Sequence, residues 1–334
     1  MRLRIPFAAA AFFVTLLLSP NAAALAQRTF VASNGQDTNP CSIAAPCRSF
    51  ATAISATATS GEVIVLDSAG YGPVTITQSV SITAPPGVYA GIFVAPGNTG
   101  IIIDGSGILV TLRGLTINGQ DGGSAGIEFQ QGARLNVDQC LITNIIGAGL
   151  RAFAPNGQVY ISDSTVRYSG SDGIRIMDGQ ATIDRVRVEN NVGAGVSVLP
   201  AGSLSMAAMA QVRNSVASGN IGAGFSVTTN GIAQGARLTV ERSSALGNSY
   251  GFLANGPGLV TMIVTDSNAM ENFGSGAYGN GPTVSVVVSG STLSRNGTYG
   301  IERLAGTMTT LQNNTVEMNL ITPTFGALTF STYK

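Results

Sequence analysis

The chain has 334 residues, enough for one large or two ordinary domains, and a formal net charge of zero with only 10% charged residues. This charge balance excludes the basic footprint of a nucleic-acid-binding domain, so we predict no nucleic-acid partner. The 43 glycines, the absence of histidine and tryptophan, and the many Val, Ile, Ser, Thr and Asn residues favour β-structure with tight corners over a helical fold.

Residues 1–26 have the three-part layout of a secretory signal peptide. Two arginines precede an apolar run over residues 5–18, and Ala24-Leu25-Ala26 offers a small-residue cleavage site. The run is shorter than the ~20 residues that a membrane-spanning helix needs. We therefore predict a secreted protein, periplasmic or extracellular after cleavage near Ala26, without a membrane span.

Residues 27–60 are predicted to form an N-terminal cap. Cys41 and Cys47 flank a short proline-containing loop, and in an exported protein this spacing predicts a disulfide bond. Phe50 and Ile54 recur at helical spacing among alanines, which predicts a short amphipathic helix. Such a helix would cover the exposed end of the strands that follow.

Residues 61–319 repeat a unit of about 24 residues, most regularly after residue 125. Each unit begins with a glycine and contains three short strand-like segments, and these anchor glycines are Gly126, Gly149, Gly173, Gly195, Gly224, Gly251, Gly276 and Gly300. The period is too short for a propeller blade, and the regular leucines of leucine-rich repeats are missing. We predict an all-β, single-stranded right-handed parallel β-helix of about ten coils, each adding ~4.8 Å along the axis.

The repeat assigns a direction to each side chain. The first residue after each anchor glycine is expected to point into the core, and these residues are Ile127, Leu150, Ile174, Val196, Phe225, Phe252, Ala277 and Ile301. The second residue is expected to point outward, giving Glu128, Arg151, Arg175, Ser197, Ser226, Leu253, Tyr278 and Glu302.

Two further features of the repeat concern the corner before each anchor glycine. The anchor glycines themselves are expected to adopt positive φ there. An asparagine recurs shortly before most of them, which predicts a ladder of side-chain amides containing Asn144, Asn190 or Asn191, Asn220, Asn248, Asn272 and Asn296. Residues 320–334 depart from the repeat and are expected to cap the C-terminal end.

The N-terminal stretch RTFVASNGQDTNPCSIAAPCRSFATAISA and the later GIxF and NxxGxG coils resemble secreted bacterial right-handed β-helix proteins of the pectate-lyase-like superfamily. The resemblance covers nearly all of the chain after the predicted signal peptide and is specific for fold. It leaves function open, because this superfamily includes lyases, hydrolases, esterases, adhesins and proteins without known activity.

The catalytic patterns of that superfamily are only partly compatible with this chain. Its hydrolases use paired aspartates with a Gly-His-Gly motif, and the chain has no histidine. Lysine-dependent lyases are excluded unless the only lysine, Lys334, reaches a site. Arginine-dependent lyases also bind Ca²⁺ through clustered carboxylates, so a calcium cofactor is expected only if the chain is such a lyase. An esterase with two aspartates and an arginine on one face remains compatible with the composition.

The outward row contains the candidate site. Arg151 and Arg175 on adjacent coils repel each other unless an anion or carboxylate lies between them, and a uronate carboxylate suits the bidentate geometry of arginine. The alternative is a surface charge ladder balanced by neighbouring acids. The predicted ligand-binding residues are Glu128, Gln130, Arg151, Asp172, Arg175 and Asp178, and the candidate catalytic residues among them are Glu128, Arg151, Arg175 and Asp178.

Two other groups of residues are candidates for ligand contacts, a second column of acidic residues and a set of aromatic side chains. A second acidic column would contain Asp138, Asp163, Asp184, Glu241 and Asp266, where corner formation by aspartate is favoured over calcium binding. We therefore predict no metal site. Candidate sugar-stacking side chains are Tyr71, Tyr89, Phe153, Tyr160 and Tyr278.

The sequence favours a secreted protein that binds polysaccharide, a cell-surface glycan or another surface ligand along its flank without a recognisable catalytic signature. One alternative is a lyase or carbohydrate esterase acting on an acidic polysaccharide. A second alternative is a structural adhesin or envelope component. The oligomeric state is not specified by the sequence.

Overall fold

A computed structural model describes residues 25–201, 208–233 and 235–331. The predicted signal peptide lies outside these residues apart from Leu25 and Ala26. Within these three ranges, no helix has the length and apolar character needed to cross a bilayer.

Three parallel sheets form the walls of a solenoid, and each coil contributes one strand to each sheet. The predicted all-β parallel β-helix with one short N-terminal helix is confirmed, and it has about eleven turns instead of about ten. Neighbouring strands pair in register across the coils, so that equivalent residues of the repeat lie above one another.

The strands are grouped here by sheet. Sheet 1 contains β1 (Ala26–Val31), β2 (Thr57–Val65), β5 (Val80–Thr83), β8 (Leu109–Arg113), β11 (Arg134–Asp138), β14 (Gln158–Ser162), β17 (Gln180–Asp184), β20 (Ala208–Arg213), β23 (Gly235–Glu241), β26 (Leu259–Thr265), β29 (Val284–Ser289), β32 (Thr307–Leu311) and β35 (Thr329–Ser331). Sheet 2 contains β4 (Val74–Ile76), β7 (Thr99–Asp104), β10 (Ala125–Gln131), β13 (Ala148–Ala152), β16 (Ile174–Ile176), β19 (Val196–Val198), β22 (Phe225–Thr228), β25 (Phe252–Asn255), β28 (Ala277–Asn280), β31 (Tyr299–Arg303) and β34 (Thr322–Phe325). Sheet 3 contains β3 (Ala69–Gly70), β6 (Ala90–Phe93), β9 (Leu115–Gly122), β12 (Leu141–Ile145), β15 (Thr165–Arg167), β18 (Arg187–Glu189), β21 (Val216–Ser218), β24 (Ser244–Leu246), β27 (Asn268–Met270), β30 (Thr292–Ser294) and β33 (Thr315–Glu317).

The core is a set of stacked apolar rows. The predicted inward row of sheet 2, from Ile127 to Ile301, is completely or almost completely buried in every coil. Its members pair in register, for example Ile127 with Leu150 and Phe225 with Phe252, whose rings stack at 5.8 Å. Burial of a large aliphatic or aromatic side chain contributes about 1.5–3 kcal/mol, so this row is a major source of stability.

A buried ladder of asparagine side chains lines the corner between sheets 3 and 2. Its members are Asn191, Asn220, Asn248, Asn272 and Asn296, which are buried, and Asn319 in the last coil, which is half-buried. In successive coils each side-chain amide donates to the amide oxygen above it at 2.9–3.1 Å. The same oxygens accept the backbone N–H of the preceding member, so the ladder satisfies buried polar groups of both side chain and backbone.

The prediction that Asn144 belongs to this ladder is wrong. Asn144 occupies the residue before the ladder position, where it adopts a φ of 55°, as do Tyr168 and Asn190 in the next two coils. Its side chain donates to Asn118 instead, at 3.2 Å. In the coil before Asn191 the ladder position is taken by Ser169, whose backbone N–H donates to the Asn191 side chain. Of the two alternatives 190 and 191, the structure therefore selects Asn191.

The prediction of positive φ at the anchor glycines is also wrong. The positive φ values lie elsewhere at the corners, and the anchor glycines are required for space. A Cβ atom on Gly251 would lie 2.4 Å from the carbonyl oxygen of Gly276, and one on Gly149 would lie 2.7 Å from that of Gly173. The glycines therefore form a stack in which each backbone closely approaches the next.

The N-terminal helix α1 (Phe50–Ala56) packs against β1, β2 and β4, the first strands of sheets 1 and 2. Ser49 caps it by accepting the Thr52 N–H, and Phe50, Ala53 and Ile54 are buried. The Cys41–Cys47 disulfide closes the loop before the helix. The predicted disulfide and short helix are confirmed.

The sheets continue past the predicted boundaries at residues 60 and 319. Sheet 1 begins with β1, which pairs with β2 from residue 26 onward. At the other end, β34 pairs with β31 and β35 pairs with β32, so the residues after 319 add strands to sheets 2 and 1.

Candidate ligand-binding face

The candidate residues lie on the outer face of sheet 2. Because side chains alternate along a strand, the residue that follows each buried core position must point away from the core. The predicted outward row is confirmed by register: Glu128 pairs with Arg151, Arg151 with Arg175, and Arg175 with Ser197. We call this line of residues, from Glu128 to Glu302, the outer row.

Glu128, Gln130 and Arg151 form one cluster. Arg151 donates through Nη2 to Glu128 Oε1 at 2.6 Å, although Glu128 is only 8% exposed. The other carboxylate oxygen accepts from the Thr99 hydroxyl at 3.2 Å and from the Gln130 amide at 3.4 Å. The Nε atom of Arg151 is buried and has no acceptor among the described residues, as is also true of Arg167 Nε and the Ser169 hydroxyl.

Asp172 and Arg175 form a second cluster on the next coil. Arg175 donates through Nε to Asp172 Oδ2 at 2.6 Å and through Nη2 to the Ser171 hydroxyl at 3.2 Å. The other Asp172 oxygen accepts the Ala194 N–H at 2.8 Å, which fixes the carboxylate against the neighbouring coil. The guanidinium is therefore held in one orientation by its own coil and the coil that follows. Together the two clusters form what we call the charged cluster.

Asp178 does not join the charged cluster. It lies in the turn after β16, where its carboxylate accepts the N–H of Gly179 at 2.6 Å. Within the described residues it forms no ion pair with Arg151 or Arg175. Asp178 stands two residues after the end of the three-residue strand β16, where the chain already turns toward sheet 1.

Two depressions of the surface lie beside hydrogen-bond partners of Glu128. One has a volume of about 460 Å³ and is lined by Ser106, Gly107, Gln130, Gln131, Gly132, Phe153 and Pro155. The other has a volume of about 480 Å³ and is lined by Ala51, Pro73, Val74, Thr75, Asn98, Thr99 and Ile102. Gln130 lines the first and Thr99 the second, and both hydrogen bond to the Glu128 carboxylate.

Sequence reasoning missed Thr99 and Ser171 as partners of the site. Thr99 begins β7, and its hydroxyl reaches Glu128 because β7 and β10 are neighbours in sheet 2. The less regular repeat before residue 125 concealed this register. Ser171 was overlooked although it stands four residues before Arg175, close enough for a turn to bring the two side chains together.

The predicted acidic column consists of two columns. Asp138 and Asp184 end strands of sheet 1 and share a register with Glu241, whereas Asp163 and Asp266 lie one residue later with positive φ. Arg185 bridges the two columns, contacting Asp163 at 2.7 Å and also Asp184. Asp138, Asp163, Asp184 and Glu241 each pair with an arginine. Across the described ranges, no three or more acidic or cysteine residues gather in a metal-binding arrangement.

The candidate aromatic residues have different environments. Tyr71 is 1% exposed and packs on Phe50, so the prediction that it offers a sugar-stacking surface is wrong. Phe153 lines the depression beside Gln130. Tyr278 lies in the outer row and contacts Tyr250, with ring centroids 5.0 Å apart. Burial, and to a lesser extent Tyr250 and the Glu302 carboxylate, raises the pKa of the Tyr278 phenol, which therefore stays protonated at neutral pH.

Comparisons with known proteins agree with this architecture. Residues 99–261 match the family model described as the right handed beta helix region. Among solved structures, pectate lyase Pel9A is similar with a TM-score of 0.53 and 16% identity, over 87% of this chain and 78% of that one. The XylC structure in complex with xylose has a TM-score of 0.57 and 9% identity, over 83% of this chain and 69% of that one. No curated protein sequence matches the chain.

The predicted resemblance is confirmed: the chain is a right-handed parallel β-helix protein with the pectate-lyase-like fold. At these low identities, the likeness to solved structures concerns the fold alone.

Proposed function

We propose that the protein binds an acidic polysaccharide along the outer face of sheet 2, with the charged cluster as its anionic-sugar subsite and without catalysing a reaction. The observation that carries this proposal is the Glu128–Arg151 ion pair on the outer row, where each of two surface depressions is lined by a hydrogen-bond partner of the Glu128 carboxylate. The solved structures with the same fold include a protein named as a pectate lyase and a protein in complex with xylose, and this supports a carbohydrate ligand for the chain.

The arginines suit a uronate carboxylate for a specific reason. A guanidinium has five N–H donors, and Glu128 uses only one of those of Arg151. The ion pairs with Glu128 and Asp172 hold the two guanidinium groups in place. Less side-chain conformational entropy is then lost when a ligand binds.

We further propose that the protein functions outside the cytoplasm. The Cys41–Cys47 disulfide supports this, because such bonds persist in oxidising compartments. The predicted signal peptide agrees with it.

Calorimetric titration with hexagalacturonate and hexamannuronate at low and high salt tests the binding proposal. We expect binding that weakens with salt and that falls about tenfold or more when Arg151→Gln and Arg175→Gln are combined. The matched control is Arg187→Gln on sheet 3, an exposed arginine that is also paired with a carboxylate. Its affinity should equal that of the wild type.

Two results would overturn the proposal. Equal affinity of the double variant and the wild type would remove the charged cluster as the site. Ultraviolet absorbance from unsaturated uronate products, or release of methanol or acetate from esterified polymers, would show a lyase or esterase in place of a binding protein.

A further inference from the structure

A second group of side chains on the outer face of sheet 2 lies toward its C-terminal end. It consists of Tyr250, Tyr278, Tyr299 and Phe325 with the carboxylate of Glu302, and we call it the aromatic patch. Tyr278, Glu302 and Phe325 occupy paired positions on β28, β31 and β34. The patch is therefore a continuation of the outer row that holds the charged cluster.

The rings of the patch are paired and accessible. Tyr250 and Tyr278 have centroids 5.0 Å apart, and so have Tyr299 and Phe325. Phe325 is exposed and the three tyrosines are half-buried. The other ring pairs among the described residues, Phe50–Tyr71 and Phe225–Phe252, consist of fully buried rings. Aromatic pairing on the surface is thus concentrated at this end of sheet 2.

Polar groups border the rings. One Glu302 oxygen accepts the Ser275 hydroxyl, and no described residue hydrogen bonds to the other oxygen. The amide of Asn280 donates to Asn255 at 3.2 Å beside Tyr278. The protonated Tyr278 hydroxyl adds a further donor. Rings bordered by a few polar groups can bind a ligand that has an apolar face and hydroxyl groups at its edge.

We propose that the aromatic patch is a second sugar subsite, which stacks against the apolar faces of uncharged pyranose rings. The Glu302 carboxylate opposes an anionic sugar and favours hydroxyl donors, so its chemistry differs from that of the charged cluster. The electron-rich ring faces attract the partly positive C–H groups of a sugar.

The two subsites together define the ligand more closely. From Arg175 to Tyr278 the outer row advances by four strands through Ser197, Ser226 and Leu253, a distance of roughly 19 Å at the spacing of parallel strands. The two serines are small and buried, and Leu253, which is partly exposed beside Tyr278, is the one large side chain of the outer row between the two subsites. This inference rests on the proposed function: the ligand is a polysaccharide that contains both uronate and neutral residues.

The test uses neutral hexasaccharides of glucose, xylose and mannose with the full chain. Saturation-transfer NMR from the aromatic protons should identify sugar C–H groups in contact with rings, and a titration gives the affinity. We expect at least one neutral hexasaccharide to bind, and Tyr278→Ala to weaken it about tenfold. Tyr278→Phe keeps the ring and should stay within about twofold of the wild type, as should the control Tyr160→Ala on sheet 1.

The outcomes separate this inference from the proposed function. If hexagalacturonate binds but no neutral hexasaccharide does, the aromatic subsite is refuted and the anionic subsite stands. If neutral sugars bind with Tyr278 dependence while the arginine variants leave uronate binding unchanged, the charged cluster is refuted. A dimer in light scattering that dissociates in Tyr278→Ala would assign the patch to a second copy of the chain and overturn the proposal. Circular dichroism confirms that each variant is folded.

Discussion

The asparagine ladder and the outer row of sheet 2 run along the same solenoid, a few residues apart in every coil. The ladder repeats one residue type through six coils and is buried except at the half-buried Asn319, while the outer row changes from charged to small to aromatic residues. The coils from Asn191 onward share the same corner, so the ladder is uniform there. The fold requires no particular side chain on the outer face, so differences along that row are where ligand specificity can arise.

Replacing one member of the ladder should have the largest effect. In Asn248→Ala, the Asn220 N–H loses its acceptor at 3.0 Å and the Ala217 carbonyl loses its donor at 3.0 Å. Because both groups are buried, we expect a loss of about 3 kcal/mol in unfolding free energy, measured by urea denaturation. The control is Asn136→Ala, whose half-buried amide bonds to Thr111 on the outside of sheet 1 and whose loss should stay within about 0.5 kcal/mol. Equal losses of unfolding free energy in the two variants would show that a ladder asparagine contributes no more to stability than an asparagine on the outside of sheet 1.

The glycine stack beside the ladder gives the next largest effect. The Cβ of Gly251→Ala would lie 2.4 Å from the Gly276 oxygen and 2.5 Å from the Ala269 Cβ, so the coils must separate locally. We expect a loss of about 2 kcal/mol by the same measurement. Gly70→Ala is the matched control, since the nearest atom to its Cβ is 3.8 Å away. An unchanged unfolding free energy in Gly251→Ala would mean that the backbone of Gly251 does not approach the Gly276 carbonyl closely enough to exclude a methyl group.

On the outer row, removal of a charge should change binding and leave stability nearly unchanged. Glu128→Gln keeps the shape of the side chain but removes the negative charge beside Arg151. We therefore expect about threefold tighter binding of hexagalacturonate by calorimetry, with the same unfolding midpoint. Weaker binding would indicate that the Glu128 carboxylate itself contacts the ligand, which would contradict its assignment as a partner of Arg151 and not of the ligand.

Replacement of Asp184, which pairs with Arg185 and Arg213 at the end of a sheet 1 strand, should have a smaller effect on stability, and only at acidic pH. Burial raises the pKa of Asp184, but the hydrogen bond from Asn214 and the charges of Arg185 and Arg213 outweigh it, so the folded-state pKa is lowered. A carboxyl group with a lowered pKa stabilises the fold above its unfolded pKa of about 3.9, and this contribution disappears as the pH falls through the folded pKa.

Asp184→Asn should therefore lose less stability than the wild type between about pH 5 and pH 3, when urea midpoints are compared. Parallel pH profiles for the two proteins would contradict the assigned ion pairs.

The sequence predicted the features of the fold that recur at the same position of every repeat or follow from residue spacing. The inward row, the outer row and the N-terminal helix follow from residue alternation and spacing, and all were confirmed. Asn144 was misplaced because a one-residue shift in the corner changes which side chain turns inward, and spacing alone does not resolve such a shift. Gly251 and the other anchor glycines were assigned a backbone role, although the reason for glycine is the carbonyl of the next coil. Sequence adjacency within one coil cannot reveal that contact.

The candidate site was predicted in part for the same reason. Glu128, Arg151 and Arg175 were found because they share a repeat position. Thr99 belongs to the less regular coils, and Asp178 lies where the chain has left the strand. The position of Asp178 depends on the path of a turn, and that of Thr99 depends on the register of an irregular coil, neither of which the repeat determines.

Chemical modification of arginine with phenylglyoxal, followed by mass spectrometry, tests most directly whether the outer face of sheet 2 binds an acidic polysaccharide. Arg151 and Arg175 have side-chain exposures of 31% and 28%, so both can be modified, and Arg187, at 61%, is an internal reference on sheet 3. With saturating hexagalacturonate, we predict protection of Arg151 and Arg175 and unchanged modification of Arg187. Equal modification of all three arginines with and without the ligand would contradict the assignment.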